Sequence, residues 1–346
     1  MSELTNNYAG TRFLVTAASF VIIVAGFRAA STIIVPFLLS AFLACICAIP
    51  LSWLQRKGVP SSLAITIVVI GFIAVFFLVG RLVGASMDGF LRSIPAYQQR
   101  LKQDTIAVIN WLRSRNVDIS GQLVLEYFDP GAAMSFVGTI LSAMTGMLTN
   151  AFMILVTMVF MLAEVSSLPK RLRRVVDDPE TSFRNLRSFT ENLNRYLAIK
   201  TVISLATAAL IGLWLWLLGI DFPFLWAVLV FFLNYIPNLG SIIAAVPPVL
   251  LGLIQLGPGS AVGVVVGFAI VNIVLGSVVE PRFMGEGLGL STLVVFLSLA
   301  FWGWALGPVG MLLSVPLTMT VKIALESSED LRWMAVLLGP GGTHHS

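Results

Sequence analysis

The chain has 346 residues, of which 58% are hydrophobic and only 11% charged, and its net charge is +4. A soluble domain is roughly 45–50% apolar and about 25% charged; this chain has too little charge to cover a water-facing surface, and its mean hydropathy of +0.94 agrees. A soluble enzyme, a disordered chain and a disulfide scaffold are excluded. The positive charges lie between apolar blocks, with no basic stripe of interleaved aromatics, so they set orientation against a membrane and do not point to nucleic acid.

Crossing ~30 Å of hydrocarbon takes about 20 apolar residues in a helix. The stretches free of Asp, Glu, Lys and Arg are 13–27, 29–55, 58–80, 130–163, 201–220, 222–279 and 287–321. The first is short, but Arg12 and Arg28 bound it and their side chains can snorkel to the interfaces. It follows a polar N-terminus and precedes no small-residue cleavage site, so it is expected to stay as a span. The second, STIIVPFLLSAFLACICAIPLSWL, contains Pro36 and closes at Arg56-Lys57. Its Cys45 and Cys47, at i and i+2, do not face one another on a helix and read as small buried residues. The third, 60–84, is β-branched and aromatic-rich. Its length favours a helix, and an open strand edge cannot be satisfied in lipid.

The composition changes at 85–130, where five acidic and five basic residues appear. Phe90, Ile94, Tyr97, Leu101, Val108 and Leu112 recur at steps mostly of three, four or seven, which predicts an amphipathic helix. A second short helix is expected over 121–128, making 85–130 a small extracytoplasmic helical lobe beyond the three N-terminal membrane helices of 1–84. Segment 131–164 holds one long span, roughly 136–163. Segment 165–200 is basic, with Lys170, Arg171, Arg173, Arg174, Arg184, Arg187, Arg195 and Lys200. Within it, Asp178-Pro179-Glu180 reads as a helix start, Asp as N-cap and Pro at the first helical position. Phe183, Leu186, Leu193 and Leu197 then share a face, which predicts an amphipathic helix in the membrane interface, basic side toward anionic headgroups.

Segment 201–326 is expected to be the membrane transport core. After a span at 201–219, run 222–279 is too long for one helix. It is punctuated at Pro237-Asn238-Leu239-Gly240, at Pro247-Pro248 and at Gly257-Pro258-Gly259. This predicts a hairpin at 222–256, with arms 222–235 and 239–256, then a span at 260–280. Run 287–321 would extend ~50 Å as one helix. Gly303, Gly307, Pro308 and Gly310 break it, so a second hairpin is expected at 290–325, with arms 290–304 and 308–325. A cytoplasmic tail, 327–346, closes the chain, and its His344 and His345 do not read as ligands. The fold class is therefore all-α and polytopic, with about eight membrane helices including two broken or re-entrant hairpins in the C-terminal half.

Segment 165–200 carries eight Lys and Arg and no comparable loop does, so it is placed inside. Counting back puts the 85–130 lobe outside, Arg56-Lys57 inside, the Arg28 turn outside and the N-terminus inside. Counting forward puts residue 220 outside, and Arg282, Lys322 and the C-terminus inside. Three crossings in 222–280 give the same parity as a re-entrant hairpin and one span.

No GxxxxGK[ST], HExxH or GxSxG motif occurs, and no set of polar nucleophiles or paired acids lies at depth. The chain reads as a non-enzyme without cofactor or metal: a gradient-driven or facilitated transporter, a channel, or a structural membrane protein. Gly285-Glu286-Gly287-Leu288-Gly289 follows a membrane helix, not a strand, and reads as an interfacial loop. Transporters of this kind bind solute where helices are broken near the midplane, and irregular backbone survives in a membrane only when buried or lining a cavity. Two breaks fit. The first gathers Asn234, Tyr235, Pro237, Asn238, Gly240 and Ser241; the second holds Gly307, Pro308 and Gly310. Either is also readable as a tight inter-helix turn. Glu280 is the candidate for proton or cation coupling, with Arg282 as its partner, or the two are an interfacial ion pair. Asn272 would extend a polar path, or makes an inter-helix hydrogen bond. Asp221 reads as the cap of the segment beginning at Pro223. The pairs Gly80/Gly84, Gly263/Gly267 and Gly303/Gly307 suit close helix contact, inside the chain or in a homo-oligomer.

The stretch NYIPNLGSIIAAVPP (234–248), followed by VVEPRFMGEGLGLSTLVVFLSLAFWGWALGPVGMLLSVPL (278–317), resembles the autoinducer-2 exporter-like permeases. The layout upstream matches in order, so the resemblance covers nearly the whole chain. The sequence departs at Thr292, where proline often follows the Gly-Leu-Ser stretch in that family. The resemblance implies an eight-helix, multi-pass permease of a bacterial inner membrane. It also implies export of small molecules in some members, notably autoinducer-2, and sodium or lithium/proton antiport in others. The leading expectation is export of a small polar solute through the two broken hairpins, since amides, hydroxyls and backbone groups suit a neutral polyol. The alternatives are cation/proton antiport, for which Glu280 is shallow in this topology, and a non-transporting scaffold.

Overall fold

A computed structural model describes residues 2–115, 137–139, 151–165, 179–237, 239–284, 289–326 and 331–339. Every regular element among them is helical: α1 (Ser2–Ala29), α2 (Ser31–Arg56), α3 (Ser61–Ser114), α4 (Ala151–Val165), α5 (Pro179–Leu217), α6 (Pro223–Leu233), α7 (Leu239–Leu256), α8 (Pro258–Val271), a π-helical segment (Asn272–Val279), α9 (Glu280–Met284), α10 (Thr292–Leu312), α11 (Ser314–Glu326) and α12 (Arg332–Leu337). Six stretches among the described residues are long and apolar enough to cross a membrane: Ser31–Arg56, Ser61–Ala107, Glu191–Leu217, Leu239–Leu256, Pro258–Phe283 and Thr292–Leu312. Ala151–Glu164 and Pro223–Leu233 are shorter apolar helices. The protein is an all-α, polytopic membrane protein.

Two helices run on where the sequence suggested a change of element. α3 is continuous for 54 residues and passes through Pro95, about 80 Å at 1.5 Å per residue. The amphipathic stretch that begins the expected lobe is thus an extension of the membrane helix. Hydropathy falls at 85, but no capping sequence or proline stops the backbone there. Residues 116–130, the rest of that lobe, lie outside the described residues.

Likewise α5, described from Pro179 onward, continues to Leu217; Asp178, the expected cap, lies outside the described residues. No glycine or proline occurs between Glu180 and Ile211. From Pro179 on, the basic segment is therefore continuous with the following span: a helix in the interface plane would have to bend to enter the bilayer, and α5 has no break at Lys200. The Pro247-Pro248 pair does not end α7 either.

The chain divides into two compact units: one of 1–45, 153–175 and 289–346, and one of 46–152 and 176–288. In the second unit, α5, α6, α7 and α8 pack with α3 around Phe90, Ile211, Leu215, Leu225, Trp226, Leu251 and Val264, all nearly or fully buried. Lipid gives helices no hydrophobic drive to associate, so close packing and hydrogen bonds hold them. The Trp214 indole lies against Gly267, leaving no room for a Cβ, and its Nε1 donates to the Gly263 carbonyl at 3.1 Å. The Gly263/Gly267 pair therefore serves packing inside the chain. At Gly80 and Gly84 an added Cβ would meet nothing within 4 Å.

Asp221 is not the cap of α6; Phe222 holds that position, with no side-chain capping bond and φ of +58°. The Asp221 carboxylate instead accepts from Tyr97 Oη of α3 at 2.8 Å and from Gln255 Nε2 of α7. Its carbonyl accepts from Trp226 Nε1 at 2.9 Å. The Phe222 ring meets Phe90 edge-on. This joint ties the α5–α6 turn to α3 and to the end of α7.

In the first unit, the Ser40 hydroxyl lies 3.0 Å from the Ile154 carbonyl, and the Arg28 guanidinium stacks 4.7 Å from the Trp304 ring centre. Gly307, with φ +70° and ψ −154°, breaks α10 ahead of Pro308. The chain folds back there: Gly310 lies so close to the Trp302 carbonyl that a Cβ would overlap it. Trp302 Nε1 donates to Thr318 Oγ1 of α11 at 3.0 Å. The nominal 21-residue helix Thr292–Leu312 is therefore two pieces of a hairpin. Ser291 caps α10, its hydroxyl accepting from Val294 N, so Thr292 stands at the first helical position, where proline is also accepted.

Candidate functional site

The first hairpin turns between the end of α6 at Leu233 and the start of α7 at Leu239, and its tip is pinned to α5. Asn234 Nδ2 donates to Ser204 Oγ at 2.9 Å. The Thr201 hydroxyl donates to the Leu197 carbonyl at 2.6 Å. Its single proton thus used, it accepts from Tyr235 Oη at 2.7 Å. The Tyr235 ring is 2% exposed and packs edge-on against Phe231. Gly240 is buried so tightly against the Leu233 carbonyl that a Cβ would overlap it. Only glycine lets the two arms close, as at Gly310 in the second hairpin. Pro237 and Ser241 flank the tip, half-buried. Asn238 lies outside the described residues.

Immediately before Thr201 on α5 stands Lys200. Among the described residues it is the charged side chain that is buried, at 6% exposure. Its ammonium contacts Glu280 Oε1 at 2.7 Å. Glu280 opens α9, directly after the π-helical segment, and its own N–H bonds to the Leu275 carbonyl, five residues back. A buried ionised residue within a membrane helix is costly unless paired and marks a functional position by default.

Glu280 therefore has a partner, but not the expected one. Arg282 is exposed, and the carboxylate is neutralised from another helix. Two residues along a helix is about 200° of rotation, so Glu280 and Arg282 point to nearly opposite sides. Asn272 is half-buried at the start of the π segment, eight residues before Glu280.

Asn234, Tyr235 and Glu280 thus converge on one face of α5, formed by Lys200, Thr201 and Ser204. These three were not singled out from sequence. Lys200 reads there as the last charge of a basic segment, and Thr201 and Ser204 as small residues of an apolar span. The available signal was the spacing: 200/201 and 204 are i, i+3/i+4 and present one polar stripe where the span begins. Gly307, Pro308 and Gly310 belong to the other compact unit, where the hairpin arms bury Ser298, Ser314 and Thr318. Residues 285–288 of the glycine-rich loop lie outside the described residues.

The sequence model for the AI-2E family transporter matches residues 17–330. A Haemophilus influenzae protein named as a candidate transport protein is 41% identical over 97% of this chain and 98% of its own length. YhhT of Escherichia coli strain K12, also named a candidate transport protein, is 40% identical over 96% of this chain and 95% of its own. The AI-2 transport protein TqsA of the same strain is 39% identical over 95% and 96%.

Proposed function

The chain belongs to the AI-2E family of transporters, and from that premise we propose that it carries a small, polar, uncharged solute of the autoinducer-2 kind out of the cell. The observation that supports this best is the chemistry of the hairpin tip. An amide, a phenol and two hydroxyls meet at 2.7–2.9 Å between the tip and α5. Each of these bonds joins neutral partners, so a polyol hydroxyl can exchange for one of them without a charge being moved. Solute binding at broken helices, where side-chain and backbone groups are freed together, is the general logic of such sites. The path residues of this unit are Asn234, Tyr235, Pro237, Asn238, Gly240, Ser241 and Asn272; Gly307, Pro308 and Gly310 form a second solute-binding break within the other unit. Flux is facilitated or driven by an ion gradient. The basic run of 165–200 faces the cytoplasm and its anionic headgroups, with both termini inside and the protein in the bacterial inner membrane. The Gly80/Gly84 face, where an added Cβ would meet nothing within 4 Å, is the contact of a homo-oligomer.

A second reading, cation/proton antiport, is favoured by one observation: the Glu280 side chain is only 17% exposed, deeper than its place at a span end suggests. The two readings separate in one experiment. Purified protein in vesicles loaded with autoinducer-2 should release it, while an internal pH dye stays silent to sodium or lithium pulses. A cation-driven pH change without release would transfer the case to antiport at Glu280.

A further inference from the structure

The π-helical segment and the buried ion pair lie end to end. A π-turn amounts to one extra residue inside an α-helix, and such turns are frequent at functional sites. Here the register holds for eight residues, Asn272–Val279, and delivers Glu280 to Lys200. We propose that this segment is a register switch. In the π register Glu280 is latched to Lys200; relaxation to the α register rotates Glu280 by about 100° and opens the latch. The proposal rests on the transport reading above and concerns the same face of α5.

Three observations carry it. First, none of the eight side chains of the segment is buried, with Ile273 60% and Val274 49% exposed. A Cβ added at Gly276 would meet nothing within 4 Å. The register can therefore change without unpacking the core, whereas α8 just before it is anchored by buried Val264 and Phe268.

Second, Pro281 follows Glu280 and has no N–H to give to either register; in the α register its ring would crowd the Ser277 carbonyl four residues back, which makes the π register the resting one and turns relaxation into a kink at the latch. The Glu280 N–H moves from the Leu275 carbonyl to that of Gly276, one bond for another.

Third, the latch ends on the helix that holds the hairpin tip. Lys200 adjoins Thr201, which accepts from Tyr235, and lies one turn from Ser204, which accepts from Asn234. Unlatching leaves the Lys200 ammonium buried and unpaired, which is strongly unfavourable. It is relieved only if this face of α5 shifts or admits a polar solute. Opening of the pair and loosening of the tip are thereby linked.

Two measurements test this, both with Cys45 and Cys47 replaced by serine. In the first, spin labels at L213C and F283C, exposed sites on α5 and α9, report the distance between the helices with no solute present. One distance should dominate in the otherwise native protein, and a second should grow several-fold in E280Q. A single distance unchanged by E280Q would overturn the switch. In the second, K200C/E280C bridged by a short bis-methanethiosulfonate cross-linker, which spans the gap the two long side chains fill, should release autoinducer-2 from vesicles at least tenfold more slowly than the same variant after the bridge is cleaved by reduction. Equal release from fully bridged and reduced vesicles would make the contact a fixed strut and overturn the switch. If the pair carries nothing in either state, the spin-label distances decide. Native protein that releases no autoinducer-2 would defeat the solute assignment alone, since the distances do not depend on it.

Discussion

Lys200 and Glu280 stand 80 positions apart in sequence and 2.7 Å apart in space. Removing one partner of a buried pair strands the other charge, a cost of about 3–5 kcal/mol. K200Q and E280Q should therefore each lower the thermal stability of the detergent-purified protein markedly. R282A should leave it unchanged, because that side chain is exposed and points away. Equal loss in all three would mean that Arg282 shares the pairing. The glycines also separate by what surrounds them. G240A and G310A each push a Cβ into a backbone carbonyl and should yield little folded protein in a membrane-expression assay. G276A, which faces open space, should fold as well as the native chain. The glycine and proline breaks were legible because those residues leave a local mark. The partner of Glu280 was not, because a long-range pair leaves no trace in the spacing of one segment.

At the scale of elements, the breaks at 234–240 and 307–310 could be read directly, since each rests on the missing N–H of proline or the backbone freedom of glycine. The continuity of α3 and α5 could not. Hydropathy marks where water begins, whereas a helix stops only where its backbone is interrupted, and neither Gly84 nor Lys200 interrupts it. Asp221 shows the same limit. Asp ahead of a helical proline reads as a cap, yet its carboxylate is taken by Tyr97 and Gln255, which tertiary packing brings to it. Y97F removes two hydrogen bonds of that joint, the one donated to the Asp221 carboxylate and the one accepted from Gln255 Nε2 at 3.2 Å, and should cost about 2–3 kcal/mol. Since the joint lies apart from the hairpin tip, autoinducer-2 release should change less than twofold. A large fall in release with unchanged melting would place Tyr97 in the path.

For the molecule as a whole, composition alone indicated the solvent. With 11% charged residues, the chain cannot face water on all sides, and the exposed Leu, Ile, Val and Phe side chains of α2, α3, α5, α8 and α10 require lipid. The charge asymmetry then sets a topology that can be checked. Single cysteines placed at 58 and 180 should react only with a thiol reagent that reaches the cytoplasm, and a cysteine at 219 only from outside; the reverse pattern would invert the orientation.

The claim on which the functional reading turns is that the hairpin tip docked on α5 lies in the path of an uncharged solute. The most direct test is release of autoinducer-2 from vesicles containing the native protein, N234L or Y235F, with folding checked by size-exclusion elution and melting. Native protein should release the solute, and both variants should lose at least tenfold in rate while remaining folded, because each removes one of the bonds that hold the tip to Ser204 or Thr201. Folded variants that release autoinducer-2 as fast as the native protein would contradict the claim and leave the tip a structural turn.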